Sequence, residues 1–312
     1  MAAPTPIETL DRLRDALGSS TGSRRAFSLL VKRDDAIPFG FGGNKIRKLQ
    51  LVVQQAIAEG ADTLITCGGL QSNHMRATAS AAAKLGLHAV LVANGSPQSK
   101  PTANALLDRL LGAEVRYVAS REQRAIDMER AADEVRAKGR RPFVIPLGAS
   151  TPLGAAAFAL AVGELLAQTS APDTIVLSTS SGGTQAGVIA GCRLHGLATR
   201  VIGISADETS ATLGAEVRRI LVGLEALLGI DRGVLSDAPI DVDDTFVGGG
   251  YGIPTPASTE AIELSARLEG LFLDPTYTGK AMAGLMARGR RGELDDRTVL
   301  FWHTGGQVGL FA

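Results

Sequence analysis

Short apolar runs alternate with longer segments of helical period along almost the whole chain, and that alternation restricts the fold more than any other feature. Phe27 to Val31, Thr63 to Thr66, Ala89 to Ala93, Val115 to Ala119, Phe143 to Leu147, Thr174 to Leu177, Val201 to Ile204 and Val299 to Trp302 read as strands. Between them, helical patterns run from Ile46 to Ile57, through the alanine-rich stretch to Leu85, and over Ala103 to Leu111 and Glu122 to Lys138. Further helices are expected from near Thr184 to His195, over Leu213 to Leu228 and Glu260 to Glu269, and from Lys280 to about Arg288. The pattern predicts an α/β protein with mostly parallel sheets. The strands are apolar throughout, as expected where helices cover both faces. Ligands of such sheets bind beyond the carboxyl ends of the strands. The sequence puts its Gly-, Ser-, Thr- and Asn-rich loops there, and four of them are expected to converge.

Composition excludes several function classes. At 312 residues the chain can hold one large or two medium domains, and at 45% hydrophobic it can bury a sizeable core. Basic and acidic residues balance at 32 each, so nothing points to nucleic acid or an anionic membrane. Two distant cysteines, Cys67 and Cys192, suit a reducing cytoplasm, and Cys67 reads as a space-filling residue. With four histidines and no ligand spacing, no structural zinc site is expected. Met1 to Leu10 lacks a basic segment followed by an apolar core, so no signal peptide is expected. The apolar run Leu153 to Leu166 is too short to span a bilayer and reads as a buried helix. Amphipathic segments between roughly Lys48 and Pro146 form a candidate smaller unit inserted in a larger one.

The stretch Gly42-Gly43-Asn44-Lys45-Ile46-Arg47-Lys48-Leu49 turns tightly into a helix, with Asn44 the expected N-cap and Lys45 at or near the first helical position. A cation there opposes the helix dipole, which favours the free amine, the form that attacks carbonyls. Position alone favours the plainer reading, a lysine pointing into water. Lys48, one turn on, is the poorer nucleophile candidate. A Walker loop is excluded, because Asn44 precedes and Ile46 follows Lys45.

Ser180-Ser181-Gly182-Gly183-Thr184-Gln185-Ala186-Gly187 reads as strand end, small-residue turn and helix start. Such a turn exposes backbone N–H groups to an anion, and Ser181 and Thr184 add hydroxyls. The alternative, a tight turn needing glycine only for packing, is the weaker reading. Ser72, Asn73 and His74 open another helix and suit a carboxylate or an aromatic oxygen, although helix capping alone would also explain Ser72 and Asn73. Tyr277 and Thr278 lie in a turn before a helix, and spacing does not decide their role. An amine, a phosphate cradle and a carboxylate cradle are together what pyridoxal-phosphate (PLP) chemistry on an amino acid requires.

Several motifs in order carry a more specific resemblance: Lys32-Arg33-Asp34-Asp35, Gly42 to Leu49, Gln71-Ser72-Asn73-His74, Gly183-Thr184-Gln185-Ala186-Gly187, Gly250-Tyr251-Gly252-Ile253-Pro254, Asp274-Pro275-Thr276-Tyr277-Thr278-Gly279-Lys280 and His303-Thr304-Gly305-Gly306. In them the chain resembles, from Pro4 to Phe311, the D-cysteine desulfhydrase and 1-aminocyclopropane-1-carboxylate (ACC) deaminase family of fold type II PLP enzymes, which are tryptophan synthase β-like. The resemblance implies two domains, a large one at 1–47 and 151–312 and a small one at 48–150, and a homodimer. It implies Lys45 as the Schiff-base lysine and Asn73 on the cofactor's ring oxygen. Ser181, Gly182, Gly183 and Thr184 would bind its phosphate, and Thr278 would face its pyridine nitrogen. Ser72, Asn73 and His74 would hold the substrate carboxylate, with Tyr251 and Tyr277 flanking the substrate.

Thr278 separates the two branches. The deaminases carry glutamate there, which deepens the electron sink, whereas this chain has Tyr-Thr-Gly-Lys as the desulfhydrases do. His74, where the deaminases carry Gln, points the same way. The implied activity is β-elimination of sulfide from D-cysteine to pyruvate and ammonia, with Lys45 or Ser72 removing the α-proton. The rivals are ACC deamination, elimination from L-cysteate or D-serine, and a PLP-binding protein without turnover.

Overall fold

The computed structural model describes residues 4–18 and 27–312; residues 1–3 and 19–26, part of the expected large unit, lie outside the described residues. Two sheets organise the chain. The larger joins β1 (Ile7–Thr9), β2 (Ser28–Arg33), β10 (Thr298–His303), β7 (Thr174–Thr179), β8 (Arg200–Ser205) and β9 (Asp241–Asp243), in that order. All its pairings are parallel except β1 with β2. The smaller sheet orders β5 (Glu114–Val118), β4 (His88–Asn94), β3 (Thr63–Gly69) and β6 (Pro142–Val144), all parallel. It lies inside the 48–150 interval.

Both faces of each sheet are covered, which explains the unbroken apolar strands. All six residues of β7 are buried. Side chains alternate along it. Ile175 and Leu177 join the core formed with α6 (Pro152–Leu166), α7 (Gly183–Leu194) and α8 (Ser210–Leu228). Val176 joins the opposite core with α1 (Asp11–Gly18) and α10 (Thr278–Arg290). Helices α6 and α7 pack so closely that a Cβ at Gly187 would lie 2.2 Å from the Ala155 carbonyl oxygen. In the smaller sheet, Ile46, Leu49, Val52, Val53 and Ala56 of α2 (Asn44–Ala58) pack against one face with α3 (Asn73–Leu85). Met128, Ala131, Ala132 and Val135 of α5 (Gln123–Ala137) cover the other, where Cys67 fills space as predicted.

The sequence missed the short strands β1 and β9 and the polar helix α1, which carry little periodic signal. It also misplaced two helix starts. Asn44 is not the N-cap of α2; Gly43 is, at φ 98°. Its N–H donates to the Asp34 carbonyl, and a Cβ there would lie 2.9 Å from the Thr304 carbonyl oxygen. Asn44 is therefore helical, and Lys45 is the second residue of the first turn. Helix α10 starts at Thr278 rather than Lys280, because the Asp274 carboxylate accepts N–H bonds from Thr276, Tyr277 and Thr278.

Beneath the start of α2 lies a buried ionic cluster. Arg47 donates to Asp34 and Glu164; Lys32 donates to Glu164 and to the Thr5 carbonyl; Trp302 Nε1 donates to Asp34 at 2.9 Å. This network joins the first described residues, β2, α6 and β10 to the helix that carries Lys45. Among the described residues no helix is long and apolar enough to cross a membrane, and no group of acidic, histidine or cysteine side chains could hold a metal.

Candidate active site

The carboxyl ends of β3, β7 and β10 and the first turns of α2, α3 and α7 converge on a cavity of about 400 Å³. Lys45 lines it. Among the described residues no hydrogen bond or ion pair engages its amine. Burial pushes the Lys45 amine down to about 8. The direction matches that expected from the helix start, with desolvation as the cause. Lys48 is fully buried and does not line the cavity. Its Nζ donates to the Gly148 carbonyl and to Ser150 Oγ, each at 3.2 Å. Burial, and then the neighbouring charge of Lys45, push its amine well below the ordinary lysine value.

The anion cradle sits at the start of α7. Gly182 is its N-cap in the left-handed region, φ 73°. Ser181 Oγ lies 2.7 Å from Ser150 Oγ, and Thr184 Oγ1 accepts from Asn44 Nδ2 at 2.9 Å. Gly183 is packed tightly behind the turn, where a Cβ would meet Ser150 Oγ at 2.7 Å and Lys48 Nζ at 2.8 Å. A helix N-terminus and two hydroxyls thus face one end of the cavity, a donor set suited to a phosphate, with the buried Lys48 amine behind the turn. Sequence reasoning did not assign Lys48 to this cradle. Its partners Gly148 and Ser150 lie far along the chain, so no local signal marked it.

At the other end lies the 69–74 loop. Ser72 caps α3: its Oγ accepts from the N–H of His74 at 3.2 Å and of Met75 at 3.3 Å. Its hydroxyl proton stays available to a ligand. Asn73 lines the cavity, and its Oδ1 accepts from Asn104 Nδ2 at 2.9 Å, which turns the Asn73 amide N–H groups outward as donors. Asn104 also donates its Nδ2 to the Gln71 carbonyl and its backbone N–H to Gln71 Oε1. The sequence carried no sign of this supporting residue. His74 is buried with Nε2 2.8 Å from Thr66 Oγ1. Burial, then the charges of Lys45 and Lys48, hold its imidazole neutral.

Tyr251 and Tyr277 line the cavity, ring edge to face, with their hydroxyls hydrogen-bonded. Burial raises both phenols above their ordinary values. The Arg121 guanidinium lies 5.0 Å from the Tyr251 ring centroid and 3.5 Å from Asp207. Thr278 departs from expectation. It is fully buried beneath the cavity wall, and its hydroxyl donates to Asp274 Oδ1 and accepts the Asp274 N–H. The hydroxyl is thus committed to starting α10. Thr304, at the end of β10, lines the cavity instead.

The residues present fit PLP. The buried Ser178 Oγ, Asn94 Oδ1 and Asp207 Oδ1 have no hydrogen-bond partner, and all three residues line this cavity. Buried polar groups left unpaired cost about 1–3 kcal/mol each, so a polar ligand is the natural occupant. Comparison with known proteins agrees. The family model described as pyridoxal-phosphate dependent enzyme matches residues 1–305. The D-cysteine desulfhydrase of Salmonella choleraesuis (strain SC-B67) is 37% identical over 321 aligned positions, covering 100% of this chain and 94% of that protein. A solved structure of an ACC deaminase homologue superposes with TM-score 0.90 at 35% identity, covering 99% of this chain and 91% of that one. A threonine deaminase from Solanum lycopersicum shares the fold, with TM-score 0.68 at 17% identity over 97% of this chain and 79% of its own.

Proposed function

Since this chain belongs to the pyridoxal-phosphate dependent enzymes, we propose that it is a lyase converting D-cysteine and water to pyruvate, ammonia and hydrogen sulfide. The observation that carries this reading is the unengaged amine of Lys45, set between an anion cradle and a loop of amide and hydroxyl donors. The full-length likeness to proteins named D-cysteine desulfhydrase supports the choice of substrate. The enzyme is proposed to act as a cytoplasmic homodimer on a small amino acid, without nucleic acid or membrane.

When bound, PLP supplies a carbonyl for the substrate amine and a sink for the electrons left by the α-proton. Ser181, Thr184 and the start of α7 would hold the phosphate, with Lys48 supporting the turn from behind through Ser150. Ser72 and the Asn73 amide would orient the ring oxygen and the substrate carboxylate. Lys45 would take the α-proton: burial brings its amine down to about 8, which raises its free-amine fraction near neutral pH, whereas Ser72 Oγ already accepts two N–H bonds. The Tyr251–Tyr277 pair, kept protonated by burial, would offer a hydroxyl to the departing thiolate. Neutral His74 adds no charge to the carboxylate's surroundings.

Keto-acid release by the PLP-loaded protein tests the reading, with D-cysteine, L-cysteine and ACC in parallel. Pyruvate from D-cysteine alone is expected. Production of 2-oxobutanoate from ACC, with no product from D-cysteine, would overturn it in favour of the deaminase.

A further inference from the structure

Lys280 is buried in the large unit and plays no part in the chemistry above. Its Nζ donates to three backbone carbonyls: Ala206 at 3.0 Å, Val247 at 2.8 Å and Gly250 at 2.8 Å. An ammonium has three donors and no acceptor, so these bonds satisfy it completely. Converging carbonyl oxygens are also the chemistry by which proteins hold a bare monovalent cation. Here the cation is tethered to the chain.

Apart from the contacts of the Tyr251 side chain, the segment that Lys280 holds gets little order from its own backbone. Gly248, Gly250 and Gly252 take φ of 64°, 122° and 76°, so the loop is costly to order. Its own backbone bonds are long: Val247 N–H to Asp244 at 3.3 Å, Gly250 N–H to Val247 at 3.4 Å and Ile253 N–H to Gly250 at 3.3 Å. Tyr251 sits in this loop and faces the cavity. The third carbonyl belongs to Ala206, whose N–H donates to Thr179 at the end of β7, and whose next residue, Asp207, also lines the cavity. One ammonium therefore ties the Tyr251 loop to the sheet edge that bears the cradle turn.

We propose that Lys280 is a positioning residue, a built-in cation whose three carbonyl bonds order the 247–252 loop and set Tyr251 against Tyr277. Charge and tetrahedral geometry are both required. A planar guanidinium presents its donors in a fork and does not match three converging carbonyls. The inference concerns Tyr251 whichever amino acid is turned over, so it does not depend on D-cysteine being the substrate.

The test compares wild type with Lys280→Ala, Lys280→Met and Lys280→Arg as PLP-loaded enzymes. Lys280→Ala opens room for a free cation. Its KM is expected to rise about tenfold or more, the worth of about 1.4 kcal/mol. Added ammonium or methylammonium should recover most of that loss in Lys280→Ala but not in Lys280→Met, and leave wild type unchanged. Hydrogen exchange of the 247–252 amides should quicken in all three variants and slow again in Lys280→Ala with ammonium. Wild-type exchange and KM in a folded Lys280→Ala or Lys280→Met would overturn the proposal, as would an equal loss in every variant that no cation relieves. Should none of the variants fold, wild type decides: 247–252 amides exchanging as fast as an unstructured chain would refute it, and clear protection would sustain it.

Discussion

Two clusters of buried charge lie on either side of the first turns of α2, and they are built in opposite ways. Below the helix, Lys32, Asp34, Arg47 and Glu164 answer one another at 2.6–2.9 Å, with Trp302 and Thr5 adding further bonds. Arg47 and Lys32 hold the Glu164 carboxyl down to about 2. Above the helix, Lys45 has no partner among the described residues, and Ser178, Asn94 and Asp207 keep unpaired oxygens. Unpaired buried charge is costly, and a lysine under that cost shifts its pKa towards neutrality. The paired cluster fixes where the helix begins. The unpaired one keeps an amine reactive and a cavity ready for a polar ligand.

Substitutions on the two sides should therefore separate reactivity from stability. Lys45→Ala should abolish the absorbance of bound cofactor and cut keto-acid release by about 10²–10⁴-fold or more, with the melting temperature little changed. Turnover like that of wild type would refute the assignment of Lys45. Asp34→Asn leaves Arg47 short of a partner. It should cost about 3–5 kcal/mol of stability, read by denaturant unfolding, because breaking a buried ion set strands a charge. A variant as stable as wild type would show that the lower cluster does not anchor the helix.

The two clusters should also differ in pH response. Lys45 is depressed to about 8, so its neutral fraction rises as pH climbs through that value. Cofactor reloading of the apoenzyme, followed by absorbance, should speed up about tenfold between pH 7 and pH 9 and then level off. A rate still climbing towards pH 10.5 would mean an ordinary lysine. Glu164 runs the other way. Its stabilisation is full above the ordinary carboxylate value and is lost as pH falls towards about 2, so acid unfolding rather than neutral-pH activity reports on it. The smallest effect is expected at the cradle. Ser181→Ala removes one hydroxyl and its bond to Ser150, and should weaken cofactor affinity by about 1 kcal/mol, or fivefold, in equilibrium titration.

Much of this was legible in the chain. Strand and helix order followed from hydrophobic period, because strands covered on both faces need unbroken apolar runs and helices need one apolar stripe. The Ser181–Thr184 turn and Ser72–Asn73 were legible because each begins a helix at a strand's end, a position that small residues and caps mark locally; the role of Lys45 was not, since position alone favoured a lysine in water and only the resemblance singled it out. Thr278 was not. Spacing left its role open and only the resemblance implied a residue facing the cofactor, but Asp274 recruits its hydroxyl to start α10. Asn44 was misread as a cap because the cap depends on the close approach of Gly43 to Thr304, where a Cβ would lie 2.9 Å from the carbonyl oxygen, a contact between segments far apart in sequence.

What the sequence by itself determined was the class of architecture, the loops that line the cavity and the placement of Lys45 in the first turn of α2. These follow from local pattern: periodicity, turn chemistry and caps act over a few residues. The tertiary structure alone decided that Lys48 joins the anion cradle, that Asn104 turns Asn73, that Asp34 and Glu164 receive Arg47, and that Lys280 gathers three carbonyls around the Tyr251 loop. Burial and charge pairing set these roles. Both depend on which distant segments the fold brings within a few ångströms, and no spacing along the chain encodes that distance.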